Sequence, residues 1–236
     1  MPRFLLPTNQ WDQAKLTGDE AKHLAQVLRI KSGEEITVFD GKGRRAPALV
    51  VDISRNHVCL ELGDSVNTCP QLPAITLTQA IPKGKNMELI VQKAVELGVT
   101  TIQPLITQHT IVQPGHGKAE KWRRIALEAC KQCGQDILPT IAEPIRFGDW
   151  NVSTDLGDVS IIASLADGAR PLREVMRNHP SPERCNLLVG PEGDFAPNET
   201  AAAIVAGYQP VTLGDIVLRV ETASLYCLSA LRYEFS

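Results

Sequence analysis

The sequence predicts an α/β protein: a mostly parallel sheet covered by helices, preceded by a small β-rich module. Three observations predict it. From Ala74 onward, short apolar runs alternate with segments of helical spacing, the pattern of a parallel sheet with crossover helices. Before Pro70, short strands instead follow one another with turn signals between them. Two apolar runs also stop abruptly in glycine-bearing turns, Leu187-Leu188-Val189-Gly190-Pro191-Glu192-Gly193-Asp194-Phe195 and Val211-Thr212-Leu213-Gly214. Ligands of open α/β sheets sit at such turns, beyond the carboxyl ends of the strands.

The module, residues 1–70, starts with a short helix over Asp19–Leu28, with Thr17 or Asp19 as its cap. Glu35–Phe39 alternates like a strand and ends at Asp40-Gly41, a hairpin signal. Ala46–Ile53 and His57–Leu62 are the next strands. Cys69-Pro70-Gln71-Leu72-Pro73 reads as a linker, because two prolines forbid a helix there. The second domain, 74–236, predicts strands at Ile75–Ala80, Thr101–Ile106, Val159–Leu165, Asn186–Val189 and Pro210–Leu213. Its helices are predicted at Asn86–Leu97, stopped by Gly98, and at Lys118–Gln132, Pro171–Arg177, Pro197–Ala206 and Glu221–Tyr233. Pro197 is a favoured first helical residue.

Composition is ordinary for a globular protein: 236 residues, 43% hydrophobic and 22% charged. No apolar run approaches twenty residues, so no membrane span is expected. Phe4-Leu5-Leu6 is too short for a signal peptide, and a cytoplasmic protein is the default. Free thiols are then expected at the six cysteines. Cys130-x-x-Cys133 has no second pair to complete a zinc site, so no metal is expected. The net charge of −3 gives no support to nucleic-acid binding. Charge is uneven, however: residues 81–135 hold eight Lys/Arg against four Asp/Glu, and 136–236 hold seven against fourteen. Any polyphosphate-binding surface must come from the first 135 residues. GxGxxG and P-loop signatures are absent, against dinucleotide or ATP-phosphate binding.

The paired motifs GPEGDF and LGDIVLRVETA resemble the signature of the RsmE family of SPOUT methyltransferases. Further blocks, collinear with these, carry the resemblance over nearly the whole chain: Met1-Pro2-Arg3-Phe4, His23 to Arg29 (HLAQVLR), Lys83 to Val99 (KGKNMELIVQKAVELGV), Pro104, and Lys121 to Gly134. The pattern alone predicts an ordinary doubly wound sheet, because knots are rare. The resemblance implies instead a SPOUT-type C-terminal domain with a trefoil knot, behind a small PUA-like β-barrel used for RNA.

The resemblance implies methyl transfer from S-adenosylmethionine to N3 of a uridine in 16S ribosomal RNA, on the small ribosomal subunit. It places cofactor walls at Leu165 and Ala166, at Gly190, Pro191, Glu192 and Gly193, and at Leu213, Gly214, Ile216 and Leu218. Glu192 either binds a ligand group or accepts backbone N–H bonds. Arg219 and Glu221, in the L-R-x-E-T motif, are the expected catalytic pair. Arg219 would stabilise a uracil anion; Glu221 would orient the base or take its proton. For RNA the candidates are Arg3, His23, Arg29, Lys83 and Lys85. His23 could equally be a satisfied structural histidine. Lys93 and Glu96 read as a solvated ion pair, and Trp122 with Arg123 and Arg124 as a half-buried ring beside solvated charges. The family's subunit contact uses the last helix. A homodimer is therefore expected, and Ala223, Leu225, Cys227, Leu228 and Leu231 make that helix apolar on more than one face.

Three positions depart from the family pattern. Asp194 stands where a second glycine is usual, Asp215-Ile216 where Pro-Arg is common, and Gln135-Asp136 where a basic pair often follows Cys-Gly. All three lower the positive charge expected on an RNA-facing surface. They keep open a SPOUT methyltransferase acting on another RNA or nucleotide. A non-catalytic RNA-binding protein is a further alternative, against which the intact Gly190–Gly193 turn and Arg219 with Glu221 argue.

Overall fold

The computed structural model describes residues 1–115, 117–150, 156–166 and 168–235. The chain forms two compact units. The first comprises Met1–Pro70 with Cys130–Leu138, and the second Gln71–Ala129 with Pro139–Ser236. The nine-residue return to the first unit is not legible in the sequence, which divides the chain once, near Pro70.

The first unit contains β1 (Arg3–Leu5), α1 (Thr8–Trp11), β2 (Lys15–Thr17), α2 (Gly18–Lys22), β3 (Glu35–Phe39), β4 (Arg44–Ile53), β5 (His57–Leu62) and β6 (Val66–Asn67). They form one sheet in the order β1-β3-β4-β5-β2, with β6 on β4. The hairpin expected at Asp40-Gly41 joins antiparallel β3 and β4. Asp40 Oδ1 accepts the N–H groups of Lys42 (2.7 Å) and Arg44 (3.0 Å), so the side chain closes the turn. One face of the sheet encloses Phe4, Leu6, Trp11, Leu16, Ile36, Val38, Val50 and Val58.

The helix expected over Asp19–Leu28 is shorter and changes character. Thr17 occupies the cap position, but its hydroxyl makes no capping bond. After Lys22 the chain widens into a π-turn over His23–Val27, with Leu28 N–H donating to His23 C=O at 3.0 Å. It ends at Arg29 with φ +54°.

Asp136 is buried in this unit, with its side chain 2% exposed. Arg3 donates to its Oδ1, Thr68 to its Oδ2, and Arg45 lies 3.6 Å from Oδ2. Its charge is spent on Arg3 and on the half-exposed Arg45.

The second unit follows the alternating pattern. It contains β7 (Ala74–Ala80), α3 (Asn86–Glu96), β8 (Thr101–Ile106), α4 (Lys118–Cys133, whose last turn falls in the first unit), β9 (Thr140–Ile141), β10 (Ile145–Arg146), β11 (Val159–Ala163), β12 (Arg170–Pro171), α5 (Leu172–Arg177), β13 (Arg184–Val189), α6 (Pro197–Val205), β14 (Gln209–Thr212) and α7 (Val220–Phe235). The strands form a wholly parallel sheet, β10-β8-β7-β13-β11-β14-β12, with β9 on β8. β13 and β11 are buried on both faces, which explains their unbroken apolar runs. α6 opens at Pro197, and Glu199 Oε2 accepts the Ala196 N–H at 3.0 Å. α7 lies against α3 and β13. Among the described residues no helix is long and apolar enough to cross a membrane.

Candidate functional site

Four neighbouring strands, β7, β13, β11 and β14, end on the same edge of the parallel sheet. The turns after β13, β11 and β14, with Asn86 at the start of α3 and the first turn of α7, enclose a cavity of about 440 Å³. The wall holds Ser164 and Leu165 after β11, Gly190, Pro191, Glu192 and Asp194 after β13, Leu213, Gly214, Ile216, Val217 and Leu218 after β14, and Arg219, Glu221 and Asn86. Ala166 and Gly193 are not on this wall. Ala166 N–H turns back to Ser164 Oγ (3.1 Å), and Gly193 faces His109.

Side-chain bonds hold the turns to one another. Asp194 adopts φ +58°, a left-handed conformation that Asp tolerates. Its Oδ1 accepts the Phe195 N–H at 2.7 Å and its Oδ2 the Leu165 N–H at 3.4 Å. The carboxylate thus links the β13 turn to the β11 turn. Glu192 Oε1 accepts the Lys83 N–H at 2.9 Å, reaching the loop after β7. Asn86 Nδ2 donates to Glu221 Oε2 at 3.2 Å. His109 Nδ1 lies within 3.1 Å of the carbonyl oxygens of Gly193 and Asp194. Asn86, Asp194 and His109 were invisible as a set in the sequence, because their partners lie 29–135 residues away.

Beneath the cavity, Gln79 and Ser224 are fully buried. Ser224 Oγ lies 2.5 Å from Gln79 Oε1, and Gln79 Nε2 donates to the Ala80 carbonyl at 2.9 Å. This pair fastens α7 to the end of β7. The cavity wall carries no cysteine or histidine among the described residues. Burial pushes the Cys185 and Cys227 thiols up to about 12, so they stay protonated and inert. The chemistry available is therefore positioning and electrostatics, with carboxylates at Glu192, Asp194 and Glu221 and one exposed guanidinium at Arg219.

The other candidate residues are placed as follows. Lys83 and Lys85 are exposed on the loop that meets Glu192 and leads to Asn86. Arg3 is engaged with Asp136 and lies 5.0 Å over the Phe39 ring. His23 meets the Phe4 ring edge-on at 6.0 Å, and Arg29 is exposed. Lys93 and Glu96 pair at 2.8 Å. Trp122 is buried, deeper than the half-burial expected; Arg123 donates to the Ile141 carbonyl and Glu143.

The fold and site define a class, a PUA-like unit joined to a SPOUT-type RNA methyltransferase domain. The RNA methyltransferase domain model matches residues 70–232, and its companion PUA domain model residues 16–63. The chain is 34% identical over 217 residues to ribosomal RNA small subunit methyltransferase E of Synechocystis, covering 91% of this chain and 71% of that protein. It is 32% identical to the protein of the same name from Mesomycoplasma hyopneumoniae, covering 97% and 98%. The crystal structure of a ribosomal RNA small subunit methyltransferase E from Neisseria gonorrhoeae, bound to S-adenosyl methionine, is similar with a TM-score of 0.89, 34% identity, and 100% and 98% coverage. The chain belongs to the ribosomal RNA small subunit methyltransferase E family, the RsmE family of SPOUT enzymes.

Proposed function

We propose that this protein transfers a methyl group from S-adenosylmethionine to N3 of a uridine in 16S ribosomal RNA, on the assembled small subunit. The observation that carries the reading is the convergence of the strand-end turns and the first turn of α7 on one cavity. About 440 Å³ is an ordinary size for a small-molecule site. Its carboxylates suit a cationic ligand, and its apolar residues suit an adenine ring. The bound cofactor supplies a methyl carbon already activated by a sulfonium.

The protein's own work is then alignment and charge control. Gly190, Pro191, Glu192 and Asp194, with Leu213, Gly214, Ile216, Val217 and Leu218, line the cofactor side. Arg219 and Glu221, at the start of α7, line the side where the acceptor enters. Uracil N3 must lose its proton before or during attack. Arg219 stabilises the resulting negative charge, and Glu221, held by Asn86, orients the base or takes the proton. Exposed Lys83 and Lys85 contact phosphates of the RNA. We infer also that the chain carries the family's trefoil knot and works as a homodimer through α7. Tyr226 and Tyr233 leave exposed aromatic surface on that helix.

The test is calorimetry with S-adenosylmethionine, followed by mass mapping of ribosomal RNA from cells with and without the protein. Cofactor binding with loss of one N3-methyluridine is expected. Absence of heat would overturn the cofactor site, and an unchanged 16S map would overturn the substrate.

A further inference from the structure

Three metal-binding side chains meet on the outer face of the first unit. His57 and Cys59 are two apart on β5, so both leave the same face, opposite buried Val58 and Leu60. Across the ladder Cys59 faces Asp52 of β4. A bulge makes that pairing: Val50 pairs with Leu60, Val51 is the extra residue, and Asp52 pairs with Cys59. In an unbroken register Val51 would face Cys59 and Asp52 would turn inward. The ligand atoms of Asp52, His57 and Cys59 all lie within 4.8 Å of one another. Ser54 Oγ donates to Asp52 Oδ2 at 2.8 Å, which orients the carboxylate. Cys59 is a free thiol.

We propose that Asp52, His57 and Cys59 form a site for a zinc-class divalent ion, with three protein ligands and a fourth position open to solvent. Thiolate, imidazole and carboxylate are the ligands such ions take, and the sulfur disfavours magnesium and calcium. Binding forms a metal–sulfur bond as the Cys59 thiol releases its proton to solvent. The ion would clamp β4 to β5 at the bulge, and Ser54 would hold the ligating carboxylate from behind. Lys15, opposite Cys59 on β2, brings an exposed ammonium to the same face and limits affinity. The donors come from two strands without C-x-x-C spacing, so a motif search passes over them. The site is independent of methyl transfer.

The test uses reduced full-length protein carrying Cys69→Ser and Cys133→Ser, which removes the other exposed thiols. Co²⁺ serves as the probe, with Zn²⁺ as competitor. One equivalent should give thiolate-to-cobalt charge-transfer absorption that Zn²⁺ abolishes. Cys59→Ser should remove that band, and His57→Ala and Asp52→Asn should each weaken binding about tenfold or more. Asp52→Asn is nearly isosteric and keeps the fold, which circular dichroism checks. Glu61→Ala, the next outward residue of β5, should leave binding unchanged. No charge-transfer band at one equivalent, or binding that survives loss of any one of the three donors, overturns the site.

Discussion

Asn86 Nδ2 donates to Glu221 Oε2 across 3.2 Å, joining the first residue of α3 to the first turn of α7. The bond fixes one carboxylate oxygen of Glu221 at the cavity wall. Asn86→Ala frees that carboxylate. Turnover should fall about 10–100-fold, the worth of one hydrogen bond to a charged group, with cofactor affinity nearly unchanged. Asn86→Asp should be worse, because it sets two carboxylates against each other. Single-turnover methylation beside calorimetry decides; equal activity in both variants would mean that Glu221 needs no positioning.

Arg219 should matter for turnover more than for cofactor binding. Its guanidinium is exposed at the cavity wall and stays charged at any working pH, so it can stabilise an anion but cannot act as base. Arg219→Ala should bind S-adenosylmethionine nearly normally and transfer methyl about 100-fold more slowly. Arg219→Lys should recover part of the rate. Loss of cofactor affinity alone would move Arg219 into the cofactor site.

The three glycines of the turns should respond differently. A Cβ on Gly190 would stand 3.1 Å from the Phe195 ring and 3.2 Å from Asp194 Oδ1. Gly190→Val therefore strains the turn's own packing and should lower both the melting temperature and cofactor affinity. The nearest atoms to a Cβ on Gly193 belong to His109, at 3.6 Å, an ordinary contact, so Gly193→Ala should be silent. Gly214 has open space but φ +120°, and Gly214→Ala should cost about 1–3 kcal/mol of backbone strain. Thermal melts with and without S-adenosylmethionine check all three. A Gly193→Ala as damaging as Gly190→Val would place the ligand against Gly193.

Ser224→Ala removes the partner of Gln79 Oε1 in a fully buried site. An unsatisfied buried amide costs about 1–3 kcal/mol, so the melting temperature should drop by several degrees. Because the pair anchors α7, turnover should fall with it. An unchanged melting temperature would show that Gln79 finds another partner.

On the proposed homodimeric state, light scattering at micromolar concentration should give twice the chain mass. Tyr226→Arg, on the exposed face of α7, should shift the mass toward one chain. A wild-type monomer would remove α7 as a subunit contact.

Much of the fold was legible because local physics and burial agree. β3, β5 and β8 begin and end where the pattern puts them, and Pro197 opens α6. β1, β2 and β6 were missed, because two or three residues cannot show a period. The π-turn at His23 was missed because its spacing departs from the 3.6-residue repeat.

The sequence by itself determined the two regimes of structure, the glycine turns and, through its motifs, the family. Those are properties of residues close together along the chain. Only the tertiary structure decided which turns share a cavity and what each charged group does. It made Asp194 a bridge to Leu165, Asp136 the buried partner of Arg3, and Asp52 a neighbour of Cys59 through a one-residue bulge. A carboxylate's role depends on which distant donors reach it, and strand order and register set that.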